Sequence, residues 1–521
     1  MYNPKKVLLS IFVLIVILFS ITPPSLAQDS SDDTFIILFD ENTPETEIQN
    51  LRIEFNSTEV WKSTFSNIRI WKVNYFPFTL SSTGEVINDI NEGVEAADER
   101  PSVDGTAEDY VTNIPSIEKG PSSPTNKPSR CNPNIKMESH TNIGPDFVSF
   151  KIAIFDTGIA NIGSANSDYD YSLFNGDYTG YDFVNEDGDP NDDHGHGTHI
   201  ASIISKFEDN DLANAFNYYI YKTHDQNGVG NLSSIVKALD EAMVQGVDII
   251  NMSFSYQKAY NSQLQVIENS PLAHQIKIAR SKGILILASA GNANNDNDGD
   301  SRYYPASFDA DNIISVASSN CGKYLSSFSN YGLTTVDLAT AGESIPGVNH
   351  LGEVVLKSGT SQACALTTKA SMILAKKIGD MKWSRIKCRL IKGAEVPNNE
   401  IQTTLLGGIL NLDNALAMPT CNVTNTNNGN GPDLSFKKTS LPDFTITNPV
   451  HSTIELQYPS TKDFNLELSL WNLSGQQLTT YSDVQAQNIS IPVAAYPAGI
   501  YLLKIRDQVS GEHMVKKIIK Q

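Results

Sequence analysis

The sequence predicts an α/β protein whose mainly parallel β-sheet is flanked by helices, preceded by a small α+β unit and followed by an all-β sandwich. Short apolar runs of strand length lie at 151–155, 247–253 and 283–288. Segments with helical character occur between and after them, at 234–245, 273–281 and 366–377. Because strands alternate with helices here, βαβ units and a parallel sheet are expected for the middle of the chain.

Three short motifs carry the chemistry of this middle region. They are Asp156-Thr157-Gly158, His196-Gly197-Thr198-His199 and Gly359-Thr360-Ser361, in that order. A serine that attacks, a histidine that carries its proton and an aspartate that orients the histidine form a hydrolytic triad. The strand 151–155 ends at Asp156, and functional groups gather at the carboxyl ends of parallel strands. We predict Asp156, His196 and Ser361 as that triad.

A fourth motif supplies the group that such a triad needs for its oxyanion. Ala290-Gly291-Asn292 directly follows the apolar run 283–288. An Asn side chain held on a glycine turn after a buried strand can donate a hydrogen bond to a tetrahedral intermediate. We predict Asn292 as this donor, with the main-chain N–H of Ser361 as the second.

Together these motifs resemble those of the subtilisin-like serine proteases, the subtilase family, over about residues 142–418. The order Asp, His, Ser is that of subtilisin. The resemblance implies a subtilisin-like fold in a catalytic domain at 131–421, a serine-type endopeptidase that cuts protein or peptide substrates, and no cofactor for the chemistry. It also implies groove walls that pair with an extended substrate backbone. These walls are Ser253-Phe254-Ser255 and Ala288-Ser289-Ala290-Gly291.

Five positions depart from the family pattern without removing a reacting group: Ser202, Ser255, Thr340, Gln362 and Ala365. The family usually has Gly at the first two, Pro at the third, Met at the fourth and Pro at the fifth. The added bulk at Ser255 is expected to narrow the subsites beside the scissile bond. Two alternatives stay open: a catalytically weak or inactive subtilase-fold protein that binds at the cell surface, and a dedicated processing peptidase.

The histidines and cysteines outside the motifs are given structural roles. His194 and His224 are interpreted as surface or loop residues. Cys364 is expected to be packed and unpaired, because free cysteine behaves as a small buried hydrophobe. The other four cysteines could form two disulfides with three alternative pairings: Cys131, Cys321, Cys388 and Cys421.

The N-terminal residues 1–27 read as a secretory signal peptide. Lys5 and Lys6 precede an apolar run from Val7 to Ile21, and Ser25-Leu26-Ala27 offers small residues for cleavage. The alternative is a membrane anchor, but the apolar stretch is short and ends at Pro23-Pro24. The net charge of −21 over 521 residues argues against a nucleic-acid partner and suits an extracellular enzyme.

Residues 28–130 resemble the inhibitory prodomains of subtilases by their arrangement of elements. Strands are predicted at 34–39 and 68–73 and helices at 43–55 and 84–93. This prodomain is hypothesised to assist folding and to block the groove until it is cut off. Residues 108–131 are rich in Pro, Ser, Asn and Lys and are predicted to be the exposed linker where the cut occurs.

Two acidic loops, 185–193 and 294–300, suggest structural calcium, because hard cations prefer clustered carboxylate and amide oxygens. Neither loop has the spacing of an EF-hand. The alternative is that both loops are merely solvated.

The C-terminal part consists of an Asn-rich linker at 422–440 and a unit at 441–521 with alternating strands and glycine turns, which predicts a β-sandwich. Its segments resemble the C-terminal sorting domain of the type IX (Por) secretion system: 448–450, 473–476, 496–501 and 516–520. The resemblance implies a Bacteroidetes-type bacterium and the type IX secretion machinery as partner. It also implies a secreted protein or one on the outer cell surface. The alternative is a generic β-sandwich binding module.

Overall fold

The structure is a computed structural model. It describes residues 33–98, 100–108, 111–114, 149–162, 172–205, 216–259, 270–299, 301–320, 324–396, 408–418, 421, 445–446, 450–457, 465–472, 477–484, 488–507 and 513–520. The predicted signal peptide at 1–27 and the linker at 422–440 lie outside these residues. Among the described residues, no helix combines the length and the apolar character that a membrane span requires.

The N-terminal unit is an antiparallel four-stranded sheet in the order β2-β3-β1-β6, with two helices. Alternate residues of strand β1 face opposite sides. Phe35, Ile37 and Phe39 pack with the unit's own helices. Ile36 and Leu38 pack against the following unit, 149–418, which contains the predicted triad and is called the catalytic unit below. The elements, with the short β7 that follows, are β1 (Thr34–Phe39), α1 (Glu45–Glu54), β2 (Ser57–Lys62), β3 (Ile68–Val73), β4 (Phe78–Thr79), β5 (Val86–Ile87), α2 (Ile90–Asp98), β6 (Val103–Glu108) and β7 (Val111–Asn113).

Two predictions for this unit need correction. The first helix begins at Glu45 rather than at residue 43, because Pro44 occupies the N-cap position and fits only the start of a helix. The second helix spans Ile90–Asp98 rather than 84–93, because Gly84 has φ +75° in a turn and β5 follows it.

The catalytic unit is built on an eight-stranded sheet in the order β17-β16-β14-β12-β8-β10-β9, with β18 paired to β16. Its described pairings are parallel except that of β16 with β17. The elements are β8 (Phe150–Asp156), a 3-10 helix (Ser172–Asn175), β9 (Thr179–Asp182), α3 (His196–Ser205), β10 (Phe216–Lys222), β11 (Val229–Asn231), α4 (Leu232–Gln245), β12 (Ile249–Met252), β13 (Tyr256–Ala259), α5 (Pro271–Ser281), β14 (Leu285–Ser289), β15 (Ser301–Tyr304), β16 (Ile313–Asn320), β17 (Tyr324–Leu325), β18 (Leu338–Ala341), β19 (Ile345–Val348), β20 (Val354–Lys357), α6 (Thr360–Ile378), α7 (Trp383–Gly393) and α8 (Leu412–Ala417).

Helices cover both faces of this sheet, which confirms the predicted α/β architecture. Ile152 and Ile154 of β8 pack in one core with α3 and α6. Ala153 and Phe155 pack in a second core with α4 and α5. The period of two along a buried parallel strand thus divides the core into two layers, and the apolar run of β8 is continuous because both faces are covered.

The C-terminal unit contains two antiparallel sheets, β21-β22-β25 and β24-β23-β26-β27, around one apolar core, as the sequence predicts. Its strands are β21 (Thr445–Ile446), β22 (Thr453–Gln457), β23 (Leu466–Asn472), β24 (Gln477–Val484), β25 (Asn488–Pro492), β26 (Gly499–Asp507) and β27 (His513–Lys520).

One of the open disulfide pairings is realised within the described residues. Cys388 of α7 is bonded to Cys421, 33 residues further along the chain. Cys364 is free and buried, as expected, and burial raises the pKa of its thiol to about 12. Such a thiol stays protonated and unreactive at neutral pH. Cys131 and Cys321 lie outside the described residues.

Candidate active site

The three predicted triad residues come from three separate elements of the catalytic unit. Asp156 ends β8, His196 begins α3 and Ser361 lies in the first turn of α6; each is at most 2% exposed. His196 Nδ1 lies 2.7 Å from Asp156 Oδ1, which also accepts a 2.8 Å hydrogen bond from the N–H of Thr157. Burial raises the pKa of Asp156, but the charge and hydrogen bond of His196 oppose it, so the net pKa lies below its ordinary value. Asp156 is therefore ionised at neutral pH and fixes the orientation of His196.

The hydroxyl of Ser361 contacts the main chain of Ser253 and not His196. Its Oγ donates to the main-chain oxygen of Ser253 at 2.9 Å, and no hydrogen bond joins it to His196. Transfer of the Ser361 proton to His196 thus requires the hydroxyl to leave Ser253 first. Catalytic hydrogen bonds often form only when substrate is bound, so this geometry is compatible with a nucleophile at rest.

The amide of Asn292 is held in one orientation by Thr360. Asn292 Oδ1 accepts from the N–H of Thr360 at 2.9 Å and from its Oγ1 at 2.8 Å, while Thr360 Oγ1 accepts from the N–H of Gly291 at 3.2 Å. Because Oδ1 is occupied by two donors, Nδ2 is the free donor end of the side chain. Gly291 has φ +108°, and a Cβ there would lie 2.3 Å from Asn330, so the turn that presents Asn292 requires glycine.

The two segments predicted to form the groove walls contact Ser361 and each other. Ser253 Oγ donates to the main-chain oxygen of Ser361 at 3.1 Å, which ties the segment 253–255 to the nucleophile. Ser289 Oγ donates to the main-chain oxygen of Phe254 at 3.2 Å, which joins the segment 288–291 to the first one. Ser255 is 6% exposed, and its N–H faces the main-chain oxygen of Asn113 at 3.4 Å.

A further strand, which the sequence did not predict, lies beside the first of these segments. The stretch assigned to an exposed linker includes β7, which pairs antiparallel with β11 in the register Thr112 to Gly230. On the β11 side, the N–H of Ile114 also donates to the main-chain oxygen of Gly228 at 2.8 Å. On the opposite side, Asn113 bridges to Ser255. The prediction of an exposed linker is therefore wrong for 111–113, which form β7 paired with β11 and in which Thr112 is fully buried. A strand of three residues has too little pattern of its own to be recognised without its partners.

His224 was assigned to the surface or a loop, but it is fully buried beside this strand. Its Nε2 lies 2.9 Å from Thr112 Oγ1 and its Nδ1 lies 2.9 Å from Thr223 Oγ1. Its ring centroid is 4.7 Å from that of Phe254. Burial lowers the pKa of His224 to about 4, so the imidazole is neutral at physiological pH.

The acidic loops do not gather ligands for calcium among the described residues. Asp192 accepts hydrogen bonds on both oxygens from the loop and from Thr198, and Asp193 pairs with Lys222 at 2.9 Å. Asp298 Oδ1 is occupied by the hydroxyls of Thr334 and Thr335. No group of three or more His, Cys, Asp or Glu suited to a metal ion is present in the part of the chain that the structure describes. Structural calcium therefore stays a prediction without support from these side chains.

Comparison with protein families and known proteins gives two matches along the chain. Residues 149–436 match the model of the subtilase family, and residues 447–521 match the secretion system C-terminal sorting domain. The first match covers more than half of the chain and contains all four predicted catalytic residues.

Curated proteins similar to this chain include several bacterial proteases. The thermophilic serine proteinase of Bacillus sp. (strain AK1) is 32% identical over 231 residues, which are 43% of this chain and 52% of that protein. The minor extracellular protease Epr of Bacillus subtilis is 31% identical over 41% of this chain and 30% of its own length. Thermitase of Thermoactinomyces vulgaris is 30% identical over 43% of this chain and 74% of its own length. The chain thus spans about half of the first relative and less than a third of the second.

Among solved structures, the epidermin leader peptide processing serine protease of Staphylococcus aureus has a similar fold. The TM-score is 0.56 at 17% identity, over 74% of this chain and 98% of that one. At this identity the likeness concerns the fold alone.

Proposed function

The chain belongs to the subtilase family and carries a secretion system C-terminal sorting domain, and from that premise we propose that it is a secreted serine endopeptidase made as a latent precursor. The observation that carries this proposal is the 2.7 Å contact between His196 Nδ1 and Asp156 Oδ1. Because Asp156 is ionised, Nδ1 of His196 bears the proton and donates, which leaves Nε2 to act as the base.

In the proposed reaction, Ser361 Oγ attacks the carbonyl carbon of the scissile peptide bond while its proton passes to His196 Nε2. The carbonyl oxygen becomes an oxyanion that accepts hydrogen bonds from Asn292 Nδ2 and from the N–H of Ser361. Collapse expels the amine, which takes the proton from His196. Water, activated by His196, then hydrolyses the ester on Ser361 and restores the hydroxyl.

We propose that the N-terminal unit within 28–130 is an inhibitory prodomain. Two contacts support this. Strand β7 lies between β11 and Ser255, where an extended substrate would lie. The sheet of the unit packs on α4 and α5, where Asp240 accepts from Ser63 Oγ at 2.6 Å and Lys282 Nζ lies 3.6 Å from the ring centroid of Phe65.

Export is proposed from the two ends of the chain. A signal peptide at 1–27 would take the protein across the inner membrane. The sorting domain would then pass it to the type IX secretion machinery and to the exterior or the outer cell surface. The match over residues 447–521 and the described β-sandwich support the second step.

The proposal is tested with an irreversible serine-directed phosphonate, which labels only an activated nucleophile. Protein expressed at full length and then matured is expected to incorporate one equivalent of phosphonate at Ser361. A Ser361→Ala variant treated in the same way is expected to incorporate none. Peptide mapping of the label distinguishes Ser361 from other serines. Absence of label on matured protein would favour the non-catalytic binding protein.

A further inference from the structure

We infer that the substrate groove contains a subsite selective for a hydroxyl side chain, Thr or Ser, and that His224 is the residue that selects it. The inference rests on the proposed function, in which β7 occupies the groove in the register of a substrate. Thr112 of β7 is then the model for the side chain that this subsite accepts.

Thr112 is fully buried, and its hydroxyl has two polar neighbours. Its Oγ1 donates to the main-chain oxygen of Gly230 at 2.9 Å and lies 2.9 Å from His224 Nε2. The other nitrogen of His224, Nδ1, lies 2.9 Å from Thr223 Oγ1. The imidazole ring itself packs against Phe254, which is also fully buried. A substrate side chain at this position would be enclosed on several sides.

The direction of each proton in this chain of contacts follows from the number of hydrogens available. Thr112 has one hydroxyl hydrogen, and the carbonyl of Gly230 can only accept it. Thr112 Oγ1 must therefore accept from His224, so Nε2 carries the imidazole hydrogen. Because the imidazole is neutral, Nδ1 accepts from the hydroxyl of Thr223. The hydroxyl of Thr223 thus fixes the tautomer that presents an N–H to the subsite.

This arrangement offers one donor and one acceptor to the same small volume, which matches a hydroxyl group and not a methyl group. Valine has nearly the shape of threonine, but it would leave the buried N–H of His224 without a partner. A site built to hydrogen-bond a hydroxyl rejects the analogue that lacks it, because the buried polar group stays unpaired.

The register of β7 gives the place of this subsite relative to the cut. Asn113 lies opposite Ser255 in an antiparallel bridge. In a ligand bound in the same way, the residue two positions after the one at Asn113 lies opposite Ser253. The main-chain oxygen of Ser253 contacts Ser361 Oγ. The ligand residue opposite Ser253 therefore lies at the nucleophile and supplies the scissile carbonyl. The position of Thr112 is therefore the fourth residue before the cut.

The test uses full-length protein after maturation and four quenched fluorescent peptides that differ only at the fourth residue before the cut: Thr, Ser, Val or Ala. Mass spectrometry locates the cut in each. Wild type is expected to give a kcat/KM for Thr and Ser about tenfold or more above that for Val. In His224→Leu the ratio of Thr to Val should fall to about one. In His224→Gln, which retains N–H donors, part of the preference should return. The ratio within one variant does not depend on how much of that variant has folded.

Equal cleavage of the Thr and Val peptides by wild type overturns this inference and leaves the peptidase activity standing. Retention of the preference in His224→Leu overturns the role of His224. Hydrolysis of casein without cleavage of the peptides at the expected bond overturns the register. Failure to cleave any substrate, together with failure of phosphonate labelling, overturns the proposed function and this inference with it.

Thr112 variants of the full-length precursor give an independent readout on the same contact. Thr112→Val should shorten the lag before casein hydrolysis appears by about tenfold, because its strand is held less tightly. Thr112→Ser keeps the hydroxyl and should behave like wild type. Equal lags for the Val and Ser variants would contradict the inference.

Discussion

Ser361 Oγ donates a hydrogen bond to the main-chain oxygen of Ser253, at a distance of 2.9 Å. The proposed nucleophile thus contacts a segment predicted to form a wall of the groove, and β7 bridges to the same segment through Asn113 and Ser255. His196, by contrast, already contacts Asp156 at 2.7 Å. The proposed base is thus already oriented while the proposed nucleophile is not, so activity requires a local change at Ser361 in addition to release of β7 from the proposed groove.

Loss of the Asp156 carboxylate should abolish most of the activity. Asp156→Asn keeps the shape of the side chain, but its amide favours the wrong tautomer of His196, and kcat should fall by about 10⁴. The measurement is the rate of casein or peptide hydrolysis after maturation by an added protease. A Ser361→Ala protein treated in the same way gives the background rate. A decrease of less than tenfold would show that His196 is oriented by some other group.

Asn292→Ala should lower kcat by about 10²–10³ with little change in KM, because the oxyanion exists only after attack. Thr360→Val removes a hydroxyl that holds Asn292 Oδ1, and we expect a loss of about tenfold in kcat. Thr360→Ser retains the hydroxyl and serves as the matched control. A Thr360→Val enzyme as active as Thr360→Ser would contradict the positioning role of this hydroxyl.

Stability should decrease as the pH falls from about 6.5 to about 4, in part through His224. Burial lowers the pKa of His224 from 6.5 to about 4, so between these values the unfolded chain binds a proton that the folded chain does not. Protonation of His224 in the unfolded chain does not reduce the free energy of unfolding above pH 6.5. It reduces that free energy by about 3 kcal/mol once the pH reaches 4. Urea unfolding of a Ser361→Ala protein at pH 7 and pH 4.5, with and without His224→Gln, measures the contribution of His224 to the pH dependence of stability. Equal pH dependence in both proteins would contradict the assignment.

Weakening of the contact at Asp240 should release the N-terminal unit faster. Asp240 accepts from Ser63 Oγ and from the N–H of Thr64, and Asp240→Ala removes the acceptor of the Ser63 O–H and of the Thr64 N–H. The rate at which the N-terminal unit dissociates after cleavage should rise about tenfold. Glu241→Gln, one residue along α4, is the matched control, and similar rates for the two variants would contradict the docking on α4.

The disulfide should stabilise the protein without acting on catalysis. Replacement of Cys388 and Cys421 by Ser opens a loop closed over 33 residues and should lower the free energy of unfolding by about 2–4 kcal/mol. The kcat at 25 °C should stay that of wild type, because neither cysteine contacts the triad. Chemical unfolding and peptide hydrolysis check the two expectations, and a lowered kcat at full folding would contradict the second.

The sequence predicted those parts of the site that depend on local pattern. Asp156 could be placed because a continuous apolar run precedes it, and Asn292 because a glycine turn follows a buried strand. Neither the strand at Thr112 nor the burial of His224 could be predicted. The pairing of β7 is determined by β11 and Ser255, which are distant in sequence, and a histidine shows no sign of its burial until its partners are known. The partner of Cys388 was open for the same reason.

The most direct test of the proposed triad expresses the chain without residues 1–27, as wild type and as Ser361→Ala. The size of each protein and its hydrolysis of casein are measured in parallel. We predict that the wild type shortens and digests casein, and that Ser361→Ala does neither when no other protease is present. If both proteins shorten and neither digests casein, another protease removes the N-terminal unit and the proposed triad is inactive, which would contradict the account.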